Sequence, residues 1–98
     1  MKFEEFWTAM TESMVHTRDY NTIKDQKPFK VTPSIDAVRV DSETITTPRV
    51  IKKEEFVKVW REFIQTAEDK KFHPGTYTKI TQNSSYIVTL FDEIINKK

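Results

Sequence analysis

The residues best placed to do chemistry lie in TKITQNSSYIVTLF, residues 78–91. Lys79, Gln82, Asn83, Ser85, Tyr86 and Thr89 bring donors, acceptors and one cation to a segment that then turns apolar at Ile87, Leu90, Phe91, Ile94 and Ile95. That spacing, i, i+3, i+4, i+7 and i+8, is one face of an α-helix. A helix entered through polar residues can offer them, together with its free amides, to phosphates or base edges. The same residues also make a turn and a cap, with Asn83 or Ser84 accepting from the first free amides. A groove-facing helix usually carries arginine or lysine, and this set offers only Lys79. Asp92 and Glu93 further along would repel a phosphate that they faced. Capping therefore comes first and ligand contact second.

Other chemistries find less in the chain. His16 and His73 are far apart, and neither has a partner at the i+3 or i+4 spacing of a metal-binding helix. There is no cysteine, so neither a disulfide framework nor a thiolate metal site can form. Ser84 and Ser85 lack the glycine-flanked elbow of a nucleophilic serine. Gly75 is the one glycine, which argues against a phosphate-cradling loop. Glu54-Glu55, Glu68-Asp69 and Asp92-Glu93 fall on expected helices or their ends, where carboxylates are normally solvated. No metal, no cofactor and no enzymatic activity are expected.

These residues must be held by a small body. The chain has 98 residues, enough for one domain with one core, and 12% of them are aromatic: seven Phe, three Tyr and two Trp. Each large ring buries about 150–250 Å², so few are needed to fill such a core. Formal net charge is +1. Residues 27–53 are locally basic, with six basic against three acidic side chains: Lys27, Lys30, Arg39, Arg49, Lys52 and Lys53 face Asp36, Asp41 and Glu43. No apolar run approaches the roughly 18 residues of a membrane span. The opening MKFEEFWTAM is acidic where a signal peptide is basic. A soluble cytoplasmic protein is the expectation.

Three helices and three short strands are expected to do the positioning. Phe3, Phe6, Trp7, Met10 and Met14 make the apolar stripe of a helix over 2–16, and residues 17–28 read as a loop. Short alternations from Pro28 onward predict an antiparallel meander with strands near 28–32, 36–41 and 44–47. Pro33 and Pro48 belong at strand ends or on an edge. A change of parity between Ala37 and Val38 suggests a bulge or a break. Phe56, Val59, Trp60, Phe63, Ile64 and Ala67 predict a helix over 53–68 without an obvious N-cap. Pro74-Gly75 marks a turn, and the last helix is expected over 84–96. The fold class is α+β, winged-helix-like at best, because the strands do not lie where a standard wing lies.

The stretch from Phe29 to Ile95 resembles the short α+β accessory modules attached to prokaryotic restriction nucleases and related phage-defence proteins. The matching positions are Pro48 before the middle helix, Phe56 and Trp60 within it, and the Ser85-Tyr86 pair that opens the last helix. The resemblance implies a DNA-associated module and carries over no catalytic residue. Together these readings predict a non-enzymatic binding module. Duplex nucleic acid would be held by Lys30, Arg39, Arg49, Lys52, Lys53, Lys79, Gln82, Asn83, Ser85 and Tyr86. The competing expectation is a protein partner or self-association through Phe3, Phe6, Trp7, Met10 and Met14.

Overall fold

The computed structural model describes residues 1–13, 18–22, 27–42 and 47–96. Helix α1 (Phe3–Ser13) leads into strands β1 (Arg18–Asn21), β2 (Pro28–Pro33), β3 (Ala37–Asp41) and β4 (Arg49–Lys52). Helix α2 (Lys53–Phe63), a single 3-10 turn (Pro74–Tyr77) and helix α3 (Ser84–Asn96) complete the chain. The strands form one antiparallel sheet in the order β1-β2-β3-β4. The architecture is α+β, with four strands where three are expected.

The added strand is β1, whose RDYN sequence carries no alternation of apolar residues. It is held by one inward ring: Tyr20 pairs with Phe29, centroids 5.9 Å apart. Short polar strands are how sheet edges avoid pairing with other chains. At the other edge, the expected strand over 44–47 lies mostly outside the described residues. The strand found is β4, which begins directly after Pro48. Only Ile51 of its four residues is buried, opposite Val38, so alternation could not reveal it. Pro33 ends β2, as its missing N–H requires. The change of parity at Ala37 marks the start of β3. The register from Ala37↔Lys52 to Val40↔Arg49 runs without a bulge. Ser34 closes the preceding turn, donating from its backbone N and from Oγ to the Ala37 carbonyl, both at 2.9 Å.

The core lies on one face of the sheet. Phe29, Val31, Val38, Val40 and Ile51 point inward to meet Phe6, Trp7, Met10, Phe56, Val59, Trp60, Phe63, Ile87, Leu90 and Phe91 from the helices. Rings do much of the packing: Phe91 stands edge-on to Phe6 at 4.8 Å and to Trp60 at 5.2 Å. The α1 stripe named in the competing expectation faces this core. Phe6, Trp7 and Met10 are buried and Phe3 is packed against the core, so this stripe is already covered by the chain itself. Met14 lies outside the described residues, as does the expected continuation of α1 to residue 16.

Helix α2 is shorter than its apolar pattern implies. It ends at Phe63, Ile64 is its C-cap at 58% exposure, and Ala67 is exposed. The amides of Gln65 and Thr66 reach back only three residues, to the carbonyls of Glu62 and Phe63. The Thr66 hydroxyl also donates to the Glu62 carbonyl at 2.7 Å. These tighter bonds end the helix with neither glycine nor proline to mark the place. No helix among the described residues is long and apolar enough to cross a membrane.

Candidate functional site

Strand β4 runs straight into α2, with Lys52 as an extended N-cap residue that makes no side-chain cap bond. Glu54 and Glu55 occupy the first turn, where the helix dipole favours negative charge. The entry to α3 packs beside this corner, and four side chains join the three elements. Arg49 Nη1 of β4 donates to Asn83 Oδ1 at 2.9 Å. Asn83 Nδ2 donates to Glu55 Oε2 of α2 at 2.7 Å. The Thr81 hydroxyl donates to the same Glu55 oxygen and accepts the backbone N–H of Asn83 at 3.0 Å. A carboxylate only accepts. It therefore fixes the Asn83 amide with its nitrogen toward Glu55 and its oxygen toward Arg49.

Asn83 sits where a capping residue sits, its carbonyl accepting from the N–H groups of Tyr86 and Ile87 at 3.1 and 3.0 Å. Its side chain is committed to Arg49 and Glu55, however, and not to the helix amides. Ser84 is buried. The Tyr86 ring packs edge-on against Phe29 at 5.0 Å and lies under the Arg49 guanidinium, 6.0 Å from its centroid. Tyr86 thus covers the edge of the core and lies against a cation. Arg49 makes no ion pair among the described residues, and the same holds for Lys30, Lys52 and Lys79.

The residues singled out in the sequence fall into two groups. Arg49, Asn83 and Tyr86 are in mutual contact, and Lys79, Gln82 and Asn83 line one open cleft with Glu55 and Thr81. Ser85 is half-buried in the first turn of α3. Lys30, Arg39 and Lys52 instead lie on the uncovered face of the sheet, together with exposed Val50, away from the helices. Two cations are already matched. Arg39 Nε pairs with Asp41 at 3.3 Å. Lys53 Nζ pairs with Glu4 at 3.2 Å and lies 5.5 Å from the Trp7 ring, fastening α2 to α1. Lys53 thus ties α2 to α1. Glu55 and Thr81 were not among the expected site residues. Glu55 reads as one of a solvated acidic pair, and only the fold brings it within reach of residues 26 and 28 positions further on.

No protein-family model, curated protein or solved structure matches this chain.

Proposed function

We propose that this chain is a small non-enzymatic module that binds nucleic acid along the corner formed by β4, the start of α2 and the entry to α3. The observation that carries this reading is Arg49: an exposed guanidinium with no ion pair among the described residues, held by Asn83 and backed by Tyr86. A fixed guanidinium suits the paired oxygens of a phosphate, and orienting it beforehand lowers the cost of binding. Lys79 adds a second cation on the cleft that Asn83 also lines, and Gln82 and Ser85 add neutral hydrogen-bonding groups. Lys30 and Lys52 on the open sheet face give a strand that crosses the β4 edge further places to rest. The resemblance to DNA-associated accessory modules points the same way.

The test is an amide-shift titration with a short mixed-sequence duplex, at low salt and then at about 0.2 M, across which phosphate-driven binding weakens steeply. The expected result is salt-sensitive shifts at residues 49, 79, 82, 83, 85 and 86. Arg49→Ala should lower the affinity and reduce the salt slope by about one. No shift at low salt with the duplex or with a single strand of the same length would overturn the proposal.

A further inference from the structure

The corner holds more than cations. Beside Asn83 lies an open cleft of about 490 Å³, lined by Glu55, Lys79, Thr81, Gln82 and their neighbours. That is within the range of about 300–1,000 Å³ typical of small-ligand sites. Its one carboxylate is used unequally. Glu55 Oε2 accepts from both the Thr81 hydroxyl and Asn83 Nδ2. Glu55 Oε1 has no partner among the described residues. No buried side-chain nitrogen or oxygen among the described residues lacks a partner, so Oε1 reaches solvent. The cleft therefore presents a fixed, half-buried acceptor whose other oxygen is already saturated.

We infer that this cleft takes the edge of an unpaired nucleobase and that Glu55 selects bases with an exocyclic amino group. This rests on the nucleic-acid reading above. The group that reaches Glu55 must be a hydrogen-bond donor, since a carboxylate has nothing to donate. It must also suit Lys79, which lines the cleft, and Arg49, which is bonded to the cleft's Asn83; both repel a cationic side chain and attract an anionic backbone. A neutral amino group carried on a phosphate chain meets both conditions. Carboxylates accept from the cytosine amino group in direct base recognition. A paired base is held in its stack, so an edge that enters a recess belongs to a single-stranded or extruded nucleotide. Glu55 is then a specificity-determining residue and Arg49 a backbone contact.

Oligo-dC and oligo-dU of equal length separate these roles. They share one backbone; at position 4 cytosine carries an amino group and uracil a carbonyl oxygen, and at N3 cytosine accepts where uracil donates, so the comparison reads the position-4 donor against the N3 donor. Binding of each is measured by fluorescence anisotropy at low salt for the wild type, Glu55→Gln and Arg49→Ala. The wild type should prefer oligo-dC by about tenfold, the effect of one hydrogen bond to a charged group. In Glu55→Gln the amide oxygen can accept from Thr81 and Asn83, which keeps the corner intact and turns an NH2 group toward the cleft. The oligo-dC preference should then vanish or reverse. Arg49→Ala should weaken both oligomers alike. Equal wild-type affinities, or a preference unchanged in Glu55→Gln, would overturn the base-selection proposal and leave nucleic-acid binding standing. If neither oligomer nor a duplex binds, the underlying reading fails as well.

Discussion

Trp60→Ala probes the helical layer most directly. Trp60 is 6% exposed and lies 5.9 Å from Phe3, 5.5 Å from Phe6, 5.3 Å from Phe63 and 5.2 Å from Phe91. Its ring therefore meets α1, its own helix α2 and α3. Removing a buried ring of this size costs about 3–5 kcal/mol, since the surrounding rings cannot fully collapse into the space. A domain of this length has about 5–15 kcal/mol of stability in all. At about 4–8 °C per kcal/mol the midpoint should fall by about 12 °C or more. The matched control is Ile64→Ala. The apolar period of α2 places Ile64 in the core, one turn beyond Trp60. In the structure it is the C-cap and 58% exposed, so its loss should cost about 0.5 kcal/mol or less. Circular-dichroism melts and urea titrations of both variants give the comparison. A Trp60→Ala midpoint within about 4 °C of wild type, or equal costs at the two positions, would refute the packing described for α2.

The remaining predictions concern the 3-10 turn and the charged residues. Burial raises the Tyr77 phenol above its ordinary value near 10. Glu62 acts in the same sense and a hydrogen bond with Thr66 opposes it. Because the folded value is the higher one, the stabilisation is fully present below about pH 10 and is lost as pH rises through the folded value. Tyr77→Phe also loses the 2.7 Å bond from its hydroxyl to the Lys71 carbonyl, a cost of about 0.5–1.5 kcal/mol at neutral pH. Urea titrations at neutral pH and above pH 10 should show the gap between the two proteins closing; a gap that widens would contradict the sign. Lys53→Ala should leave oligonucleotide affinity unchanged while Arg49→Ala lowers it, because Lys53 is matched by Glu4. Equal losses in the two variants would place Lys53 back in the binding surface.

The helices were legible wherever an apolar stripe covered the whole element. Helix α3 matches its expected span because Ile87, Leu90, Phe91 and Ile94 all face the core. Helix α2 was overread because Ile64 and Ala67 continue the period after the backbone has left it. The sheet was legible in its middle and not at its edges. In β2 and β3, Phe29, Val31, Val38 and Val40 alternate with polar residues. In β1 and β4 the neighbouring strand supplies the pairing, and Tyr20 and Ile51 are the side chains seen to be buried. Such strands carry too little pattern for periodicity to find.

The corner at Asn83 was half legible, for a different reason. A polar residue before a helix reads as a cap because side-chain acceptors normally satisfy the helix's own free amides. Asn83 occupies that place and gives its oxygen to Arg49 instead. What redirects it is Glu55, which would ordinarily reach back to the start of its own helix in a capping box and here accepts from Asn83 and Thr81. Neither residue departs from a local rule in sequence. The departure exists only because β4 passes into α2 without a linker, so that the first turn of one helix faces the entry of another. A side chain drawn away from its local role in this way leaves a helix end without its usual cap. That arrangement is understandable where the redirected groups hold something else in place, and here they hold Arg49.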